Sequence, residues 1–283
     1  MRPAGNVNEN QRASLLAYFD GAALNYPQAV EPAFAPLAEA LVRYAALQPG
    51  EQVIDLGTGS GLAARLAAGE GRFVVALDLS HKMLLAARQQ KTPRLIRGDL
   101  HRVGLRTDVF DVALAAFAFN STDPTLSLRE ACRILRPGGR LVLHEWGVID
   151  PLSELVSDTI AGYAVEEAPP ELATLREAMD QPLPWDDIED EDDLLEALQE
   201  AGFARIEIES LTIPVRLPDV GTFIRYKLAW PSRRAELAAM PDEVRRLCLH
   251  DLEENLAARA ENDGGLLWQP VVVRARACKP ARG

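Results

Sequence analysis

Cysteine is scarce in this chain: Cys132, Cys248 and Cys278 stand far apart and are odd in number. Such spacing excludes a disulfide framework and the paired ligands of a structural zinc site, and fits reduced, mostly buried thiols. Positive charge is also short, with 30 Lys and Arg against 42 Asp and Glu, for a formal net charge of −12. A surface of that sign repels nucleic-acid phosphates and anionic lipid. No basic arm, RNA-binding aromatic motif or zinc knuckle offsets it. No uninterrupted apolar run reaches the ~20 residues that span a bilayer. The start, Met-Arg-Pro-Ala-Gly-Asn, lacks the apolar core of a signal peptide. The expectation is a cytoplasmic protein with no nucleic-acid or membrane partner, acting on a small or neutral molecule.

What is present suits a globular chain. Hydrophobic residues make up 48% and charged residues 25% of 283 positions. That length fits one large domain, or one domain with a substantial insertion.

The chain is organised around Val53-Ile54-Asp55-Leu56-Gly57-Thr58-Gly59-Ser60-Gly61. An aliphatic run ends in an acid, glycines alternate with hydroxyl residues, and the helical pattern Leu62–Ala68 follows. This is a buried strand, a tight turn and a helix start. Glycine lets a ligand lie against the main chain, and the helix start offers N–H groups to it. A dinucleotide fingerprint needs a third glycine where Leu62 stands, and a P-loop needs a lysine after Gly61 that is absent. A nicotinamide oxidoreductase is disfavoured on that ground.

From residue 52 to residue 146 strand and helix patterns alternate. Strands are expected at Gln52–Leu56, Phe73–Asp78, Arg94–Asp99, Phe110–Phe117 and Arg140–Trp146, with helices at His81–Gln90 and about Thr125–Leu135. Arg136-Pro137-Gly138-Gly139 reads as a helix stop and turn. Alternation of this kind gives an α/β fold, with right-handed crossovers and helices on both faces of a parallel sheet. Ligands bind such sheets at the carboxyl ends of the strands, beside the switch in strand order. Asp55 and the glycine loop close the first strand. Asp78 closes the second, about 20 residues on, where an acid suits ribose hydroxyls. Leu79 and Met83 offer apolar cover for a base. Gly98-Asp99-Leu100 closes the third, with Asp99 placed to accept an adenine amino group, and Ala116 and Phe117 close the fourth. Each acid has a plainer alternative: Asp78 as a helix cap (although Ser80 is better placed), Asp99 as a turn residue, Asp55 as a brace for the loop.

The pattern Asp55-x-Gly57-x-Gly59-x-Gly61 resembles motif I of the class I S-adenosylmethionine (SAM)-dependent methyltransferases. Phe110–Phe117 and Leu135–Leu141, with the Pro-Gly-Gly turn, look like the later core motifs of that class. The likeness is to the small-molecule branch that includes quinone-biosynthesis-type enzymes. It is fullest over residues 50–147 and weaker over 15–27 and 186–211. It implies SAM as cofactor and a Rossmann-like, doubly wound seven-stranded sheet whose last strand is antiparallel and lies next to the fifth. It also implies that Thr58, Gly98 and Leu100 share in the cofactor site. Phe19-Asp20-x-x-Ala23-x-x-Tyr26 is similar to the family's N-terminal segment that folds over SAM, bringing Tyr18 and Tyr26 to the cofactor. An aromatic cluster in a helix corner is the alternative.

The resemblance thus divides the chain into a helical lid at 1–48 and a SAM-binding domain at 49–283, with helical insertions at about 147–185 and 212–266. Helices are expected at Pro151–Tyr163, Pro170–Met179, Val220–Leu228, Ser232–Ala239 and Asp242–Asn262, with strands at Ala204–Leu211 and Trp268–Cys278. The insertions would cover the substrate; a homodimer surface or a plain buttress is the alternative. The acids from Asp186 to Asp193 lead into a helix whose dipole they complement, so no metal is expected.

A methyl transfer needs an acceptor held in line and water excluded. Candidate bases are His144 and Glu145 at the end of the fifth strand, together with Tyr18 and Tyr26. Neighbouring strand residues face opposite ways, so His144 and Glu145 cannot serve the same site. Phe119, Asn120 and Trp146 are candidates for an acceptor pocket, while His81, His101 and His250 read as surface or capping residues. Two other functions compete with a small-molecule methyltransferase: a SAM enzyme catalysing a non-methylating reaction such as a cyclisation, and a non-catalytic SAM-binding protein.

Overall fold

The computed structural model describes residues 9–281. The start of the chain, read above against a signal peptide, lies at residues 1–8 outside them. Three helices come first: α1 (Glu9–Ala22), α2 (Tyr26–Ala29) and α3 (Glu31–Tyr44). The alternating core follows as β1 (Gln52–Leu56), α4 (Leu62–Ala67), β2 (Phe73–Asp78), α5 (His81–Gln89), β3 (Leu95–Arg97), β4 (Phe110–Ala116), α6 (Pro124–Ile134) and β5 (Leu135–Trp146). Beyond it lie α7 (Pro151–Gly162), α8 (Pro170–Asp180), α9 (Glu191–Glu200), β6 (Ala204–Thr212), β7 (Val215–Leu217), α10 (Val220–Lys227), α11 (Pro231–Ala239), α12 (Asp242–Ala257), β8 (Leu266–Trp268) and β9 (Val271–Cys278).

The main sheet has seven strands in the order β3-β2-β1-β4-β5-β9-β6. β1 to β5 pair in parallel, and β9 runs antiparallel between β5 and β6. Strand order reverses between β1 and β4, which opens the crevice at their carboxyl ends. Val53 to Leu56 are all buried because helices cover both faces of the sheet. Local chemistry sets the helix starts. The Ser80 hydroxyl accepts the Met83 N–H to cap α5, and Asp123 caps α6 ahead of Pro124. One apolar cluster lies under β4, β5, α6 and α9, with Phe110, Leu128, Ile134 and Leu198 buried. A second joins α3, α7, α10 and α12 to β8, through Leu37, Val156, Phe223, Leu252 and Trp268. Each large apolar side chain buried there contributes ~1.5–3 kcal/mol. The second cluster packs α7, α10, α11 and α12 together with α3.

Four boundaries differ from expectation. The Pro-Gly-Gly segment is drawn into β5 as an irregularity: Phe110 pairs with Leu135 and Val112 with Arg140, while Arg136 Nη1 binds Asp111 Oδ1 at 2.7 Å across it. The expected last strand splits at Gln269-Pro270, since proline has no N–H for a ladder. Its first part, β8, pairs with β7 in a separate two-stranded ribbon. α12 stops at Ala257 rather than Asn262, because Glu261 and Asp263 turn back to bind Arg216 of β7. β3 is shorter at both ends than the six residues read for it. Among the described residues no helix is long and apolar enough to cross a membrane, and no cluster of His, Cys, Asp and Glu could hold a metal.

Candidate active site

The glycine loop leaves β1 at φ +67° for Gly57 and enters α4 from Gly61 at φ +87°. A Cβ on Gly57 would lie 2.5 Å from the Ala118 Cβ, so glycine alone lets the β1 and β4 loops meet. Gly61 faces away from the crevice, where a Cβ would strike the Thr92 side chain. Beneath the loop Asp55 is fully buried. Its Oδ2 accepts the Thr58 hydroxyl at 2.5 Å and the Ala64 N–H at 3.0 Å. Burial pushes its carboxyl up to about 7, against those hydrogen bonds. The start of α4 is therefore not wholly open to a ligand, as the sequence suggested: one of its N–H groups is spent on Asp55.

Asp78 stands across from the loop at the tip of β2. Its Oδ2 accepts the Gly59 N–H at 2.8 Å and its Oδ1 the Ser80 N–H at 2.8 Å. One bond on each oxygen locks the rotamer; burial outweighs them and raises its pKa. Since Ser80 caps α5, Asp78 is free of that role. Leu79 and Met83 flank it, and Gly98 packs closely on Leu77. At the tip of β3, Asp99 Oδ1 accepts the His101 N–H at 3.0 Å while Oδ2 pairs with Arg12 at 2.5 Å. Arg12 belongs to α1, which lies over the strand tips. Asp20 accepts the Ser80 hydroxyl, Tyr18 shares a hydrogen bond with Ser232 and stacks on Trp230, and the Tyr26 ring lies against Gly59. Burial, with Asp78 and Glu31 nearby, raises the Tyr26 phenol above its ordinary pKa.

Loop, acids and α1 all open on one cavity of about 690 Å³. Gly57, Gly59, Asp78, Leu79, Met83, Asp99, Leu100, Ala116 and Phe117 line it. It continues past the ends of β4 and β5 into a chamber where Phe117 stacks on Trp146 at 4.0 Å. Phe117 holds φ +56°, a strained setting for a residue with a Cβ, and its N–H donates to the His144 carbonyl at 2.8 Å. Three of the four tryptophans face this cavity: Trp146, Trp230 and Trp268.

The candidates from β5 and the turn after β4 separate. Asn120 and Trp146 line the cavity; His144, Glu145 and Phe119 do not. Phe119 is fully buried in the core, stacked on Trp185 at 5.9 Å. Glu145 points under the turn after β4, where its oxygens accept the Phe119 N–H at 2.7 Å and the Asn120 amide at 2.9 Å. His144 points the other way and is fully buried, with neither ring nitrogen hydrogen-bonded. Burial drives its pKa down to about 3 and that of Glu145 up to about 8. Strand pleating thus put these two on opposite faces as expected, but both faces are covered at that level. His101, read as a surface or capping residue, lies in the cavity wall and accepts the Asp123 N–H at 2.8 Å. Sequence reasoning missed Arg12, Lys227, Trp230, Arg233 and Trp268, which long connections bring to the cavity without a local motif.

Residues 54–143 match the family model described as methyltransferase domain. Over that segment the core is similar to a methyltransferase domain. Outside it the likeness thins. A demethylmenaquinone methyltransferase of Mycobacterium marinum is 35% identical over 122 residues, which cover 43% of this chain and 52% of that one. The chain thus spans about half the length of the curated relatives it matches. Among solved structures, phosphoethanolamine N-methyltransferase 2 of Haemonchus contortus, in complex with phosphomonomethylethanolamine and S-adenosylhomocysteine, superposes with a TM-score of 0.52 at 19% identity. The match covers 86% of this chain and 52% of that one. The [4+2]-cyclase SpnF gives 0.52 at 17% identity, covering 88% and 81%. At such identities the structural likeness establishes the domain's fold, and a methyltransferase and a cyclase share it.

Proposed function

We propose that this chain transfers a methyl group from SAM to a small organic acceptor. The observation that carries the reading is one continuous cavity, with the glycine loop, Asp78 and Asp99 at one end and an aromatic chamber at the other. SAM supplies an electrophilic methyl carbon, so the protein's work is binding, alignment and exclusion of water. In this reading the methionine part lies along Gly57 to Gly61 beside Tyr18 and Tyr26, with Asp55 and Thr58 bracing the loop. Asp78 takes the ribose hydroxyls. Leu79, Met83 and Leu100 sandwich the adenine, whose amino group donates to Asp99, while Gly98 lets β3 approach. Ala116 and Phe117 close the site between cofactor and acceptor.

Asn120 and Trp146 meet the acceptor, and Glu145 acts through Asn120 as a positioning residue. Residues 1–48 serve as the lid, and the insertions at 147–185 and 212–266 as the cover. We place the reaction in the cytoplasm, in keeping with three reduced cysteines of which Cys132 and Cys248 are buried. The test is calorimetry with SAM, S-adenosylhomocysteine and NAD. Saturable binding of the first two, and none of NAD, is expected. A product heavier than the acceptor by one methylene separates methyl transfer from cyclisation.

A further inference from the structure

The acceptor end of the cavity contains two cations that the methyltransferase reading does not require. Lys227, one of only four lysines in the chain, ends α10, and Arg233 lies on α11. Both line the cavity. Among the described residues, no carboxylate comes within ion-pairing distance of either. The Lys227 ammonium donates to the Ser153 hydroxyl at 2.5 Å, and Arg233 Nη2 donates to the Ser157 hydroxyl at 2.7 Å. Asp150, the acid whose charge acts on Lys227, is already engaged by the Ser153 hydroxyl and the N–H groups of Leu152 and Ser153 at the start of α7.

The other acids of the cavity are spoken for as well: Asp99 holds Arg12, and Asp78 is tied to the glycine loop. The surroundings of Lys227 are apolar and aromatic. Its Nζ lies 4.8 Å from the ring centre of Tyr226, 5.3 Å from that of Phe223 and 5.4 Å from that of Trp268. Desolvation pulls its pKa down to about 8, so it remains mostly protonated at neutral pH. Trp268 adds a further unspent donor, since its indole N–H is buried with no partner. Two unpaired cations and an orphaned N–H around aromatic rings form an incomplete set. Burying an unpaired charge is costly, and a ligand bringing an anion relieves that cost.

We propose that the acceptor is a small aromatic compound carrying an anionic oxygen, which Lys227 and Arg233 hold while its ring lies against the aromatic wall. The proposal rests on the methyltransferase reading for the word acceptor, but the anion site stands on its own geometry. It also narrows the expectation of a small or neutral substrate: the net charge of −12 describes the outer surface, whereas this cavity end is locally positive.

The test is calorimetry on the full chain, with and without saturating S-adenosylhomocysteine. The probes are 2-naphthoate, 2-naphthol and the neutral 2-naphthalenemethanol. The wild type is expected to bind 2-naphthoate at least tenfold more tightly than the alcohol. Lys227→Met should abolish that preference, Arg233→Gln should reduce it, and Lys227→Arg should keep it, with S-adenosylhomocysteine affinity unchanged in all three. 2-Naphthol binding more tightly than the alcohol at neutral pH would mark a site that draws out the phenolate, and naphthoate alone a carboxylate site; either supports the proposal. Equal binding of acid and alcohol, no binding of either, or a preference that survives Lys227→Met would overturn it. Loss of S-adenosylhomocysteine binding alone would instead overturn the methyltransferase reading, since the naphthoate preference is measured without it too.

Discussion

Around the glycine loop each acid is tied to nearby backbone: Asp55 to Ala64, Asp78 to Gly59 and Ser80, Asp99 to His101. At the other end of the cavity, cations from α10 and α11 meet hydroxyls from α7, more than seventy residues away in sequence. The first end is built from strand tips and tight turns, so its geometry follows from local torsions. The second exists only when several helices have docked. A change in the loop should therefore disturb folding and cofactor together, whereas a change in the cover should separate acceptor binding from cofactor binding.

The sharpest way to break the loop end is Gly61→Val. A Cβ there would sit 2.0 Å from the Thr92 hydroxyl oxygen on a backbone at φ +87°. Positive-φ strain and overpacking together cost ~3 kcal/mol or more. A thermal melt should show that loss, and a melt near wild type would mean the loop is looser than described. Glu145→Ala tests the boundary between the two ends. It leaves the Phe119 N–H and the Asn120 amide without their acceptor, at ~2 kcal/mol. Acceptor affinity should fall while S-adenosylhomocysteine affinity holds; a parallel fall in both would place Glu145 in the cofactor site.

His144→Leu should act in the opposite direction. The imidazole is buried with two unsatisfied nitrogens, so replacement should stabilise the fold by ~1 kcal/mol at neutral pH. Its folded pKa of about 3 lies below the ordinary 6.5, so the unfolded chain takes up the proton first. Stability is consequently lost as pH falls from about 6.5 towards 3. The leucine variant should lose less over that range, as denaturant midpoints would show. Glu145 has the reverse sign: its pKa rises from 4.5 to about 8, so its contribution is complete below about pH 4.5 and lost as pH climbs through 8. The smallest effect is expected at Asp192→Asn, beside the cap Asp190. It trims only the dipole complement of α9, within ~0.5 kcal/mol, and no divalent cation should change the melt. A metal-dependent shift there would contradict the helix-start reading.

The same division explains what could be read in the sequence. Val53 to Gly61, Asp78 and the strand pattern to Trp146 announce their structure through period, glycine placement and acids at strand ends. β1, β2 and β4 lie close to their expected bounds, whereas β3 is shorter and β5 begins earlier than its pattern suggests. The antiparallel position of β9 came through the family likeness, since nothing local to Val271–Cys278 states which neighbour it pairs with. β7 and β8 escaped notice because three-residue strands have too little alternation to register. His144 and Glu145 attracted attention by type and position at a strand end. Their burial depends on the turn after β4 and on β9, which no local pattern encodes. Lys227 and Arg233 sit in ordinary helical sequence, and only tertiary packing turns them towards the cavity.

The central claim is that the sugar of SAM is held by the carboxylate of Asp78 across the tips of β1 to β3. Calorimetric titration of wild type and Asp78→Ala with S-adenosylhomocysteine tests it most directly. Saturable binding by the wild type and a loss of about a hundredfold in the variant, ~2.7 kcal/mol, is the expected result. No binding by the wild type, or equal affinities for the two proteins, would contradict the account.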